Sequence, residues 1–129
     1  MRKVLLVLGL VGVLTLGANE EMLKPTAYEV VKAEFSKHKP MMIEFGAESC
    51  RMCQKMGKVL HSIKSKFPKA NIFFINIYKD QSVMQKYKIR MIPTQIFFDK
   101  DGKEIQKHIG VFSEDELVEK LKKLGIINE

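Results

Sequence analysis

An apolar run, Met41-Met42-Ile43-Glu44-Phe45-Gly46-Ala47, leads directly to Cys50-Arg51-Met52-Cys53, and beyond it apolar side chains recur with a helical period. Met52, Met56, Val59, Leu60, Ile63 and Phe67 keep the 3.6-residue spacing of an amphipathic helix, and Pro68 marks its end. The run before the cysteines has the length and composition of a buried strand, with Glu44 as a polar intruder. Ile72 to Ile77 is a second apolar run of strand length. Two strands joined through a helix form a parallel pair with a right-handed crossover. This succession restricts the chain to an α/β architecture and places the C-x-x-C where a strand gives way to a helix.

The flanking segments fill in that architecture. Thr26-Ala27-Tyr28-Glu29 has the pattern of a capping box, with Val30, Val31 and Phe35 on one face of a helix expected to reach about Lys37, before Pro40 stops it. A short helix is expected around Ser82 to Tyr87. Gln95 to Asp99 and Glu104 to Ile109 flank Lys100-Asp101-Gly102, whose Asp-Gly is a hairpin signal, so these two strands are expected to pair antiparallel. Ser113-Glu114-Asp115-Glu116 is a second capping box, opening a helix with Leu117, Val118, Leu121 and Leu124 inward and Gly125 as its stop. The expected result is a mixed central β-sheet with helices on both faces. A chain of 129 residues suits one such domain, and it contains no internal repeat, low-complexity tract or linker.

The N-terminus reads differently. Met1-Arg2-Lys3 is followed by an apolar stretch from Val4 to Leu16 that ends in Gly17 and Ala18. A basic n-region, a short apolar core and small residues at its end describe a secretory signal, whereas a spanning helix needs about 20 apolar residues. The reading is a signal peptide over 1–18 and a folded domain over 19–129, with a periplasmic or secreted location; Leu16 is larger than such cleavage sites prefer. An uncleaved anchor is the competing reading, and a buried helix is disfavoured by the lack of a polar face. No cysteine follows the apolar core to carry a lipid. The 22 basic and 15 acidic residues give a net charge of +7, and without Arg2 and Lys3 there remain 20 against 15, or +5. No basic run interleaved with aromatics suggests nucleic acid as a partner. Membrane contact is expected only transiently, through the signal peptide or a redox partner.

The two cysteines of the chain both belong to the C-x-x-C. A structural disulfide framework is excluded, and so short a loop staples little, so chemistry is the better explanation for the pair. At a helix N-terminus the Cys50 sulfur faces unpaired amides and the positive end of the helix dipole, which favours thiolate, and Arg51 and Lys55 add positive charge. Cys53 follows one turn on, with Cα atoms roughly 5 to 6 Å apart, within reach of a disulfide. Cys50 is then the nucleophile that attacks a disulfide, and Cys53 resolves the mixed disulfide. Zinc needs more ligands than this half-site supplies, and His38, His61 and His108 lack ligand spacing and read as surface residues. No metal or cofactor is expected beyond the redox-active pair itself.

The segment from Ile43 through Glu44-Phe45-Gly46-Ala47-Glu48-Ser49-Cys50-Arg51-Met52-Cys53 to Met56 resembles the active-site segment of thioredoxins. Lys86-Tyr87-Lys88-Ile89-Arg90-Met91-Ile92-Pro93-Thr94, followed by Phe97-Phe98-Asp99-Lys100-Asp101-Gly102, resembles the family's cis-proline segment and last hairpin. The resemblance covers nearly all of the chain after the N-terminal segment and implies a thioredoxin-like fold. It further implies a cis peptide before Pro93, substrate pairing by the backbone of Ile92, and a buried acid at Glu44 that takes the proton of Cys53. A carboxyl in an apolar strand is expected to have a raised pKa; a solvated, edge-facing Glu44 is the alternative. Arg51 and Met52, beside the nucleophile, complete the expected substrate-contacting residues.

Departures from the family pattern are as informative. Gly46 and Ser49 stand where thioredoxins usually have tryptophan, Arg51-Met52 replaces glycine and proline, and Phe74 replaces the lysine that often neighbours the buried acid. These point to a specialised exported relative, acting as a reductase on protein disulfides and drawing on an unidentified electron donor. Two rivals remain. Met41, Met42, Met52, Met56 and Met91 near two thiols suit cuprous copper, which would make the chain a copper-handling protein. A redox-inactive interaction module would keep the fold without turnover.

Overall fold

The computed structural model describes residues 21–128, so the reading of residues 1–18 as a signal peptide lies outside the described residues. Every residue of β1 (Met41–Gly46) is buried, because strands flank it on both sides and helices cover both of its faces. β2 (Ile72–Asn76) lies parallel to β1, joined to it through α2 (Arg51–Lys66). On the other side β3 (Thr94–Phe98) pairs antiparallel with β1, and β4 (Glu104–Ile109) antiparallel with β3, giving the order β2-β1-β3-β4. The remaining helices are α1 (Tyr28–Glu34), α3 (Ser82–Lys86) and α4 (Glu114–Lys123), and a single 3-10 turn, Phe35–Lys37, extends α1. This is the expected mixed sheet with helices on both faces. No helix among the described residues is long and apolar enough to cross a membrane.

Strand alternation divides the side chains between two cores. Met42, Ile72 and Phe97 face one way and pack with Met56, Leu60 and Ile63 of α2 and Leu117 and Leu121 of α4. Met41, Ile43, Phe45, Ile75, Ile96 and Phe98 face the other way, against Tyr28 and Val31 of α1 and Val83 of α3. Burying a side chain such as Leu60 or Phe97 contributes about 1.5–3 kcal/mol each. By the same alternation Glu44 shares the face of Met42 and so lies beneath α2.

The ends of the elements follow local chemistry in most places. Ser113 caps α4 by accepting the Glu116 N–H, and the Glu116 carboxylate accepts the Ser113 N–H in return. Gly125, at φ 71°, takes the left-handed conformation that ends this helix. The hairpin is held by the Asp99 carboxylate, which accepts the N–H groups of Asp101 and Lys103 at 2.9 and 3.0 Å.

α1 departs from expectation. Ala27, not Thr26, is its N-cap and makes no side-chain cap. The Thr26 N–H instead donates to the Phe74 carbonyl at 2.7 Å, tying this segment to the edge of β2. A cap comes from far along the chain, where the Asp80 carboxylate accepts the Tyr28 N–H at 3.3 Å. The buried stripe is Tyr28 and Val31, with Phe35 partly covered, and Val30 is exposed.

Candidate redox site

At the end of β1 the chain turns through exposed Glu48 and Ser49 and enters α2 at Cys50. The Gln54 side chain donates to the Glu48 carbonyl at 2.9 Å, and the Cys50 N–H to the Ala47 carbonyl at 3.2 Å, which fixes this turn. Cys50 is the N-cap of α2, with extended backbone, and its sulfur accepts the Cys53 N–H at 3.3 Å. A thiol thus fills a role usually taken by serine or aspartate, at a helix end that favours negative charge.

Cys50 is half-buried and Cys53 buried, both as free thiols. Burial first, and the hydrogen-bonded Cys50 sulfur second, push the Cys53 thiol up to about 12 from an ordinary 9.0. Cys53 is therefore the less accessible of the two, and its own thiol resists ionisation. Arg51 and Met52 are exposed on the first turn of α2, so Met52 belongs to the surface around Cys50 and not to the helix's buried stripe, whose place is taken by Cys53. Gly46 lies directly against Cys53, since a Cβ built on it would stand 3.1 Å from the Sγ and 3.4 Å from the Phe74 ring.

Glu44 is 2% exposed, which settles its position in favour of the buried reading over the solvated one. Desolvation holds its pKa well above the ordinary 4.5; the hydrogen bond from Gln95 opposes this, and the nearby Cys50 sulfur adds to it. Gln95 Nε2 donates to the two carboxylate oxygens at 3.0 and 3.3 Å and to the Gly110 carbonyl at 2.9 Å. Its Oε1 faces His108 Nδ1 at 2.6 Å. Among the described residues no buried side-chain nitrogen or oxygen lacks a partner.

The peptide bond between Ile92 and Pro93 is cis, as expected. Thr94 pairs with Phe45, so Pro93 stands level with Gly46, at the end of β1 from which the cysteine loop departs. The Gly110 N–H donates to the Pro93 carbonyl at 2.9 Å, and the Thr94 hydroxyl to the Met91 carbonyl at 2.6 Å. Among the described residues the Ile92 backbone makes no backbone hydrogen bond. The structure thus sets Glu44 and Gly46 of β1 beneath the inward-facing Cys53 of α2, with half-buried Cys50 as the cap and Arg51 and Met52 exposed on the first turn.

Sequence reasoning missed Gln95 and Gly110 and misplaced His108. The ring of His108 is half-buried, stacked on Phe112 at 3.8 Å between centroids and bonded to Gln95, so it is not an ordinary surface residue. The available signal was a glutamine in an otherwise apolar strand, one hairpin partner away from a histidine.

The methionines do not converge. Met42 and Met56 pack in one core and Met41 in the other, on opposite faces of the sheet, while Met52 and Met91 are 48% and 62% exposed. Their side chains act as core filling and as surface, which removes the clustering on which a copper reading rests.

A family model described as a thioredoxin-like domain matches residues 28–125. Among curated relatives, a thioredoxin of Mycoplasmoides gallisepticum is 35% identical over 89 residues, covering 67% of this chain and 86% of that protein. Thioredoxin H5 of Arabidopsis thaliana is 33% identical over 97 residues, covering 75% of this chain and 80% of that one. The crystal structure of a thioredoxin from Nicotiana alata superposes with a TM-score of 0.68 at 23% identity, covering 84% of this chain and 98% of that one, which speaks to the fold. With the C-x-x-C at the N-terminus of α2, a buried acid beneath it and the cis-proline level with Gly46, the chain belongs to the thioredoxin-like family and is a thiol-disulfide oxidoreductase of that family.

Proposed function

We propose that this oxidoreductase is exported and reduces disulfides of specific exported proteins. The observation that carries the chemistry is the cap of α2, where the half-buried Cys50 sulfur accepts the N–H of Cys53 while the Cys53 thiol is buried beneath it. The Cys50 thiolate attacks one sulfur of a substrate disulfide, forming a mixed disulfide and expelling the other sulfur as a thiolate, which takes a proton from water. Glu44 accepts the proton of Cys53, and the Cys53 thiolate attacks Cys50, releasing the second substrate sulfur. The substrate leaves as a dithiol and the protein as the Cys50–Cys53 disulfide, which a dithiol donor reduces in turn.

The backbone of Ile92, which has no backbone partner among the described residues, pairs with an extended substrate segment beside Pro93, and Arg51, Met52 and exposed Met91 contact its side chains. With Gly46 and Ser49 in place of tryptophans, this surface suits a narrower set of protein substrates. Export rests on the pattern of residues 1–18.

Titration of the pair in glutathione redox buffers, with the thiols trapped at each point, tests the direction. A potential near the value of about −270 mV for thioredoxin supports a reductase, and one near the value of about −120 mV for a strong oxidant reverses it. Expression of the full chain in a Gram-negative host, with fractionation and N-terminal sequencing, tests export; the expected product is periplasmic and begins near Asn19. Retention of Met1 in the cytoplasmic fraction rejects it.

A further inference from the structure

Glu44, Gln95 and His108 occupy three adjacent strands at one level of the sheet, since Glu44 pairs with Gln95 and Gln95 with His108. Strand register alone therefore aligns three polar side chains on the face covered by α2 and α4, and Phe74 closes the row on β2. Gln95 is fully buried, so the orientation of its amide follows from its partners. The Gly110 carbonyl can only accept, and Nε2 faces it at 2.9 Å. The second Nε2 hydrogen then goes to Glu44, and Oε1 faces His108 Nδ1 at 2.6 Å. An oxygen in that place needs a hydrogen from the ring, so His108 carries a proton on Nδ1, as the neutral ring or as imidazolium.

We propose that Gln95 and His108 are positioning residues for the exchange reaction: His108 donates to Gln95, and Gln95, fixed by the Gly110 carbonyl, donates to Glu44 and holds it ready to receive the Cys53 proton. The proposal rests on the reading of Glu44 as proton acceptor given above. On β2 the neighbour of the acid is Phe74, so among the described residues its hydrogen-bond donor is Gln95 of the polar row. Gln95 opposes the desolvation of Glu44 and so keeps more of it ionised. His108 transmits its own protonation along the same line, since an imidazolium draws density from Oε1 and strengthens the Nε2 donor.

The charged groups around the row act on it from both ends. Burial first, then Lys120, hold His108 below its ordinary 6.5, with Glu116 opposing. Glu119 and Lys123 of α4 line the same hollow beside the ring. At the other end the ionisable neighbours of Glu44 are Cys50 and Cys53.

The test is stopped-flow reaction of the full chain with 5,5′-dithiobis(2-nitrobenzoate) across pH. The first thionitrobenzoate leaves on attack by Cys50, and the second when Cys53 resolves the mixed disulfide. In His108→Phe and Gln95→Leu the midpoint of the second phase is expected to move up by about one pH unit, slowing it on the order of tenfold at neutral pH. The first phase should stay close to the wild-type rate. His108→Asn, which restores an N–H donor without a titrating ring, should bring the second phase back near the wild-type rate at neutral pH. Should Gln95→Leu fail to fold, His108→Phe suffices, because its ring keeps the stack on Phe112. Second-phase profiles in His108→Phe that superimpose on the wild type, while Glu44→Gln slows that phase, overturn the proposal and leave the role of Glu44 standing. An unchanged second phase in Glu44→Gln overturns both.

Discussion

Gly46 and Cys53 are in contact so close that a single added methyl on the glycine would stand 3.1 Å from the Cys53 Sγ and 3.3 Å from its Cβ. The small residue on β1 is what lets the first turn of α2 settle onto the sheet with its second sulfur inward. Glycine weakens a strand interior, and here the close approach explains why it is present.

Gly46→Ala should therefore destabilise the fold by overpacking, by about 1–3 kcal/mol, although alanine is otherwise the better strand residue. Urea unfolding should show a lower midpoint with an unchanged slope. An unaltered or higher midpoint would mean that α2 shifts freely, and that the contact does not constrain the site.

The unequal exposure of the two thiols sets an order of reaction. Cys50 is half-buried at the helix end, and Cys53 is 4% exposed with its thiol raised to about 12. With limiting iodoacetamide at neutral pH, Cys50 should be alkylated at least on the order of tenfold faster, since the thiolate is the reacting form. Peptide mapping by mass spectrometry reads the order directly, and preferential labelling of Cys53 would reverse the assignment of nucleophile and resolving thiol.

The buried carboxyl makes stability depend on pH. The pKa of Glu44 is raised in the folded state, chiefly by desolvation, above the 4.5 of an unperturbed carboxyl. Between these two values the folded state holds a proton that the unfolded state has released, so stability falls as pH rises from about 4.5 through the folded pKa. Glu44→Gln carries no such charge. The difference in unfolding free energy, variant minus wild type, should grow in favour of the variant from pH 5 to 8. A pH-independent difference would show that the carboxyl ionises alike in both states.

The reciprocal cap at the start of α4 supports a helix that covers the Glu44 face. Ser113→Ala removes the acceptor of the Glu116 N–H and should lower stability by about 1 kcal/mol, within the range for lost N-caps. Thermal unfolding should show a drop of several degrees, while the rate of Cys50 alkylation stays unchanged, because the cap lies outside the cysteine turn.

The local pattern carried much of this protein. The strand, the C-x-x-C and the 3.6-residue stripe after it define β1, the cap of α2 and α2 itself, because each depends on neighbours within a few residues. The Asp-Gly turn and the Ser113 capping box were legible for the same reason. The burial of Glu44 and the cis bond at Pro93 became expectations through a resemblance, and the structure contains both.

Contacts across the sheet decided the rest. Thr26 has the spacing of a capping residue, yet its backbone is drawn to Phe74 and the cap of α1 is Asp80, 52 residues away from Tyr28. Met52 fits the helical stripe but faces outward, because the strand-to-helix turn rotates Cys53 into the buried position. Gln95 and His108 have no local signature as partners of Glu44, since they are joined to it only by the register of three strands. Sequence periodicity determined which elements form and where the reactive sulfurs sit along them. Register and layer packing determined which side chains meet beneath those sulfurs, because hydrogen bonds between strands align residues that the chain itself keeps far apart.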